Sequence, residues 1–274
     1  MKMKAIKILW LLLLAVCLMP LGCASKKEAG QKKTIRVMSY NIHIASPPSI
    51  KPDFSFTDLD AVADVINREK ADLVSLQEVD KYTARSGKQS HQSKDLGERT
   101  KMHDHFADAV DRSEGIQGNA ILSKFPFVKT ESFKLPVPAN SKGETRSLAL
   151  GVVNIEGKEV VFISVHLDHI SDETRGYQVN QILGILEKYK DDPIIFTGDL
   201  NMQPGNQVLK VLEKYLIIAN TSLPTFPSVR PDKTIDYILF NQKLLDNFEV
   251  GKFFTVDEKY ASDHIPLVVD LTVK

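Results

Sequence analysis

The chain has 274 residues, 43% hydrophobic and 26% charged, with 35 basic and 35 acidic side chains. This composition excludes a disordered chain, a collagen-like fibre and a multi-span membrane protein, and the length suffices for a sizeable core. The charge balance argues against a nucleic-acid binder that relies on a broad basic face, but not against an enzyme that reads phosphate at a small metal-centred site.

Residues 1–23 read as an address. Lys2, Lys4 and Lys7 precede an unbroken apolar run of twelve residues, Ile8 to Met19. That length suits the apolar core of a signal peptide and is too short to span a bilayer of about 30 Å. Gly22-Cys23 resembles a bacterial lipobox, in which Cys23 becomes the lipidated N-terminus. Pro20 stands where Leu is usual, so plain signal-peptidase cleavage is the alternative. Residues 24–33 then form a short polar tether. The expected protein is exported to the periplasm or cell surface and held to the membrane through a lipid anchor. Removing the leader leaves 32 basic against 35 acidic side chains, and it removes Cys17 and Trp10. Beyond Cys23 there is no thiol for a disulfide, a nucleophile or a Cys-ligated zinc.

Residues 34–274 carry no repeat, low-complexity tract or Pro/Gly/Ser-rich linker and read as a single domain. Apolar, β-branched runs predict strands at 35–40, 72–76, 105–110, 119–122, 148–153, 160–165, 194–197, 235–240 and 265–271. Helical periodicity predicts helices at 57–69 behind a Thr57 N-cap, at 173–189 and, more briefly, at 207–215. Early strands alternate with helices and later ones follow one another, which predicts a mixed α/β architecture.

Polar residues interrupt this pattern at strand ends. Asn41, Gln77-Glu78, His166 and Gly198-Asp199-Leu200-Asn201 end four runs; Asp236 and Asp263-His264 open two more. An antiparallel strand starts where its neighbours end, so six segments can converge on one rim. Any one of these residues is most simply an Asx turn or a packed histidine. Together they form a hard-oxygen metal site with acid/base groups. Alternation predicts that Asp199 and Asn201 lie on one side of the chain, roughly 7 Å apart.

Met38-Ser39-Tyr40-Asn41-Ile42, Leu76-Gln77-Glu78-Val79-Asp80, Gly118-Asn119-Ala120-Ile121-Leu122-Ser123, Ser164-Val165-His166-Leu167, Gly198-Asp199-Leu200-Asn201, Ile235-Asp236-Tyr237-Ile238 and Ser262-Asp263-His264 resemble, in order, the successive blocks of the endonuclease/exonuclease/phosphatase superfamily. The resemblance implies an α/β fold, a four-layer sandwich of two packed mixed β-sheets flanked by helices. It implies Mg²⁺, with Mn²⁺ as a substitute, held by Glu78 and Asn41, with Asp263 at a second metal or holding its loop. It also implies that Asp199 orients or deprotonates the attacking water and Asn201 holds that water or the phosphate. His166 and His264 would donate to the phosphoryl oxygens or the leaving group, and Asp236 would fix and charge His264. Arg146 would contact phosphate, and Tyr82 and Arg85, in a stretch resembling a bacterial hydrolase subgroup, would read the substrate beyond it. Thr225 to Ser228 and Arg230 would form another wall.

His43 stands where several nucleases carry a carboxylate, which weakens a two-metal nuclease reading. No exposed aromatic hairpin marks a membrane-inserting sphingomyelinase, and Phe253-Phe254 reads as core. His91, His103 and His105 read as surface or packing residues. The favoured function is hydrolysis of a phosphodiester or phosphomonoester, a phospholipid head group or small organophosphate, by a monomer. An extracellular nuclease and a catalytically inactive surface binding lipoprotein are the alternatives.

Overall fold

A computed structural model of the chain describes residues 32–50, 54, 56–220 and 222–274. The leader, Cys23 and the tether as far as Gln31 lie outside the described residues. The strands are β1 (Thr34–Asn41), β2 (Leu73–Lys81), β3 (His103–Arg112), β4 (Gly115–Ser123), β5 (Phe127–Leu135), β6 (Arg146–Ile155), β7 (Lys158–His166), β8 (Ile194–Asp199), β9 (Ile217–Ile218), β10 (Asp236–Phe240), β11 (Phe248–Thr255) and β12 (Leu267–Val273). The helices are α1 (Leu59–Glu69), α2 (Gln92–Thr100), α3 (Asp172–Leu186), α4 (Leu209–Leu212) and α5 (Gln242–Asn247).

Two six-stranded mixed sheets result, ordered β11-β12-β1-β2-β4-β3 and β5-β6-β7-β8-β10-β9. Each contains one parallel pair, β1–β2 spanned by α1 and β7–β8 spanned by α3, among antiparallel neighbours. The sheets face each other, and strand alternation sorts the side chains into layers. Ile35, Val37, Leu73, Ile121, Phe162, Ile195, Phe240 and Val269 fill the space between them. On the outer face of the first sheet, Met38, Tyr40, Val74 and Leu76 meet Val62 and Ile66 of α1 and Leu96 of α2. On the outer face of the second, Leu150, Ile163 and Phe196 meet Val179 and Ile182 of α3 and Leu209 of α4. This is the four-layer α/β sandwich that the sequence blocks imply.

The differences from the sequence expectation are local. The helix expected from Thr57 begins at Leu59, with Asp58 rather than Thr57 as N-cap, accepting from the Ala61 amide (2.9 Å). The strand expected from Ile265 begins at Leu267, which leaves Asp263-His264 in a loop. The stretch at 207–215 is helical only over Leu209–Leu212. Strands β3 to β7 run consecutively, so the helices sit early and late rather than early only. Phe253 packs into the inter-sheet core and Phe254 into the outer one, by alternation along β11.

Candidate active site

The C-terminal ends of both parallel pairs lie on one rim, the usual location for a ligand in an α/β sheet. Asn41 ends β1, Glu78 lies near the end of β2, and His166 and Asp199 are register partners ending β7 and β8. Asp236 opens antiparallel β10 directly opposite Asp199. The loop before β12 adds Asp263 and His264. Between the sheets beneath this rim, a small polar contact replaces apolar packing: Ser75 Oγ donates to Ser164 Oγ (3.0 Å), and Gln77 Nε2 reaches both.

Glu78 owes its position to a bulge. The β2–β4 register shifts between Leu76 and Val79, so both of those residues face the outer core although three positions apart. Glu78 takes the left-handed φ of 54° inside the shift and faces the cleft. A bulge is the means by which a strand re-aims one side chain without losing its flanking pattern. Asn41 Nδ2 donates to Glu78 Oε1 and to Asp199 Oδ2, both at 3.1 Å, and so ties the two sheets together at the rim.

Asp199 follows Gly198, whose φ is 148° and whose absent Cβ would sit 1.9 Å from the Val165 carbonyl oxygen. Only glycine lets β8 approach β7 so closely there. Asp199 Oδ1 then accepts from the Asn201 amide (2.9 Å), and Asn201 takes a left-handed φ of 51°. This Asx turn, rather than strand alternation, brings Asn201 beside Asp199. The Asn201 side-chain Nδ2 donates to the Leu167 carbonyl and lies 3.0 Å from His166 Nε2. His166 Nε2 therefore accepts, and the ring is neutral. Burial first, then Arg146, His264 and His169, holds its pKa well below the ordinary histidine value. Arg146, also buried, approaches His166 and His169 with its guanidinium and pairs with no carboxylate among the described residues.

His264 is the opposite case. Burial would lower its pKa, but Asp236, Asp199 and Asp263 outweigh burial and raise it to about 10. Its Nδ1 donates to Asp236 Oδ2 (2.8 Å), which also accepts from the Thr225 hydroxyl. Its Nε2 points to Asp199 Oδ2 at 3.7 Å. Burial and the Asp236 charge raise Asp199 to about 7, against the pull of His264 and the amides of Asn201 and Asn41. An imidazolium donor thus stands beside a carboxylate that changes charge near neutrality, and perturbed pairs of this kind mark acid/base sites.

These residues form the floor of a cleft of about 890 Å³. Glu78, Arg85, Arg146, His166, Asp199, Asn201, Asp263 and His264 line it; Asn41 and Asp236 lie buried behind. Arg85 faces the cleft but is held bidentately by the buried Asp80, through Nε and Nη2 at 2.8 Å each. Its charge is therefore already matched. Tyr82 is not brought to the cleft; it lies exposed on a neighbouring depression, packed edge-on to His91. Of the expected Thr225–Ser228 wall, Phe226 lines the cleft and packs on His264 with ring centroids 4.8 Å apart, whereas Arg230 is exposed outside it. His91 caps α2, His105 bonds the Glu131 carbonyl and His103 is exposed, all three away from the cleft. Sequence reasoning missed Arg112, Gln117, Glu144 and His169 on the cleft wall. They come from a strand end, a strand interior and two loops, and no local motif marks them.

The donor set suits a divalent cation. Glu78, Asp199, Asp236 and Asp263 gather four carboxylates, and among the described residues no lysine or arginine pairs with any of them. Among the described residues Glu78 accepts only from Asn41, and it faces the cleft as Asp263 does, so these two carboxylates offer hard oxygen ligands with room for water and phosphate; Asn41, expected as a ligand, instead turns its Nδ2 to Glu78 and Asp199 and its Oδ1 to the His43 amide. Asp199, Asp236 and His264 also bring ligand atoms within 4.8 Å of one another. A protonated imidazole has no lone pair for a metal, however, and the Asp236 bond keeps His264 protonated.

The model of the Endonuclease/Exonuclease/phosphatase family matches residues 38–264. No curated protein sequence matches the chain. The fold is similar to that of the endonuclease/exonuclease/phosphatase from Beutenbergia cavernae DSM 12333, at 24% identity and TM-score 0.72 over 89% of this chain and 72% of that one. It is also similar to an endonuclease/exonuclease/phosphatase family protein from Bacteroides thetaiotaomicron, at 20% identity and TM-score 0.71 over 89% of this chain and 99% of that one. A third likeness is to the mannosyl-6-phosphatase Bt3783 of Bacteroides thetaiotaomicron VPI-5482, at 21% identity and TM-score 0.67 over 86% and 99%. Family members are hydrolases acting on phosphate esters, typically with a divalent metal. The matched span takes in every rim segment from β1 to the loop that carries His264, and the chain belongs to the endonuclease/exonuclease/phosphatase family.

Proposed function

We propose that this protein is an exported, lipid-anchored, Mg²⁺-dependent phosphoesterase that acts as a monomer on a phosphodiester or phosphomonoester, a phospholipid head group or small organophosphate. The observation that carries the reading is the pairing of Asp199, raised to about 7, with His264, raised to about 10, on the same cleft floor as Glu78, with Asn41 buried behind. Glu78 and Asp263 would hold Mg²⁺, or Mn²⁺ in its place, with Asn41 orienting Glu78 through its Nδ2. When bound, the ion polarises the phosphoryl oxygens and steadies the leaving oxyanion. Asp199 takes a proton from the attacking water, and Asn201 holds His166 and the loop in register. His264 presents its Nε2–H to a non-bridging oxygen as negative charge builds there. Arg146 seats a second oxygen, because a buried guanidinium with no carboxylate partner calls for an anion.

No helix among the described residues is long and apolar enough to cross a membrane; the anchoring reading rests on Gly22-Cys23. Cys23→Ser is expected to move the protein from the membrane fraction to the soluble fraction; unchanged fractionation would remove the anchor from this reading.

The activity itself is tested with bis-p-nitrophenyl phosphate and p-nitrophenyl phosphate, with Mg²⁺ and then in EDTA. Hydrolysis is expected to fall at least about 10²-fold in EDTA and to return when Mg²⁺ is restored. Turnover of the diester alone would direct the next assays to plasmid DNA and phospholipid head groups. No turnover of either ester would leave a binding protein as the better account.

A further inference from the structure

The cleft has an outer end that the hydrolytic groups do not occupy. Arg112 ends β3 of the first sheet, and Glu144 lies just before β6 of the second. Their side chains meet there, Nη2 against Oε1, and each is about one-third exposed (35% and 33%), facing the cleft alongside Gln117 and His169. Glu144 is rigidly mounted. Its amide donates to Asp168 Oδ2 (3.0 Å), and its carbonyl accepts from Gln178 Nε2 (3.2 Å). Asp168 and Gln178 are fully buried and bonded to each other through the Asp168 amide and Gln178 Oε1 (2.9 Å). Arg112 Nε is buried with no hydrogen-bond partner.

An exposed Arg–Glu pair adds little to stability, so stability does not account for so firm a mount. The pair presents carboxylate lone pairs and guanidinium N–H groups side by side, with no net charge. A second phosphate at this end would meet the Glu144 carboxylate and be repelled. An apolar alcohol would strip water from both charges and return no hydrogen bond. A hydroxyl answers both, donating to the carboxylate and accepting from the guanidinium, and two neighbouring hydroxyls answer the pair at once.

We propose that the Arg112–Glu144 pair, with Gln117, binds the leaving group through vicinal hydroxyls, so that the substrate is the phosphate ester of a polyol. This rests on the phosphoesterase reading above. In the reaction, water adds to phosphorus, the P–O bond to the polyol breaks, and the polyol departs with a proton. Specificity follows because a site built to hydrogen-bond hydroxyls discriminates strongly against an analogue that lacks them.

The test uses the purified full chain carrying Asp199→Asn, which binds ligand with little turnover. Glycerol 1-phosphate, glucose 6-phosphate and propyl phosphate, which has no hydroxyl, are titrated calorimetrically with Mg²⁺. At least one polyol phosphate is expected to bind about tenfold or more tightly than propyl phosphate. Adding Glu144→Gln is expected to remove most of that difference. Which of the two binds better identifies an acyclic or a ring polyol. Equal affinity for all three overturns the inference, as does a preference that survives Glu144→Gln. Failure of the underlying reading looks different: neither nitrophenyl ester is hydrolysed by the unsubstituted protein, and the inference falls with it. Should Glu144→Gln fail to fold, the comparison of the three ligands on the Asp199→Asn protein still decides.

Discussion

Asp199→Asn is expected to lower kcat by roughly 10³-fold with Mg²⁺ present, within the ordinary range for losing a general base or a charge aimed at the transition state. The substitution keeps shape and most contacts: an Asn side-chain oxygen still accepts from the Asn201 or Asn41 amides. What it removes is, among the described residues, the one carboxylate facing both His264 and His166. The fold is not expected to suffer. Burial and Asp236 raise the Asp199 pKa from 3.8 to about 7, so the native state disfavours the ionised form, and stability is lost as pH rises from the unfolded value through the folded one. At pH 8 the melting temperature of Asp199→Asn is therefore expected to equal or exceed that of the parent. Near-parental turnover would sink the assignment of Asp199 as base, and a collapsed melting temperature would sink the account of its charge.

Asp236→Asn is expected to cost about 10²-fold or more in kcat and to move the whole pH profile. The ascending limb reports ionisation of Asp199, and the descending limb reports loss of the His264 proton. Asp236 raises both values, that of Asp199 to about 7 and that of His264 to about 10. Without its charge, both limbs move to lower pH, the alkaline limb further because the 2.8 Å hydrogen bond from His264 also loses its ionised acceptor. The stability contribution of the pair has the matching sign. His264 has a raised folded value, so its contribution is complete below about 6.5 and is lost as pH rises through about 10. A lower rate with both limbs unmoved would show that Asp236 acts only through packing.

Much of this fold was legible because its elements bury one regular face each. The alternation in β1 sends Ile35 and Val37 inward and Met38 and Tyr40 outward, and the spacing of Val62 and Ile66 places α1 over the latter. What escaped notice lacked that pattern. Helix α2 buries Gln92, Ser93, Leu96, Gly97 and Thr100, a helical face that is mostly polar and becomes tolerable only once Gln92 bonds the Ile44 carbonyl and Ser93 bonds Asp104. Hydrophobic periodicity does not detect a face satisfied by hydrogen bonds to other segments. Strands β5 and β11 are sheet edges with lysines along them, and an edge is identified by what lies beside it.

The site divides in the same way. The polar punctuation of the strands, and with it the family, was legible in the chain, and it singled out Asn41, Glu78, His166, Asp199, Asn201, Asp236 and His264 as candidates, because each ends or opens a run that must be apolar elsewhere. Their charge states and their neighbours arise from folding. The bulge at Glu78, the left-handed turn at Asn201, the neutral ring of His166 and the charged ring of His264 all depend on groups contributed from distant segments. Tyr82 and Arg85 follow Glu78 within a few residues, yet one lies outside the cleft and the other is matched by Asp80. Arg112 and Glu144 are separated by most of two hairpins, yet they meet at its mouth. Charge and hydrogen bonding act over a few ångströms of space, and sequence order fixes that distance only within a single element.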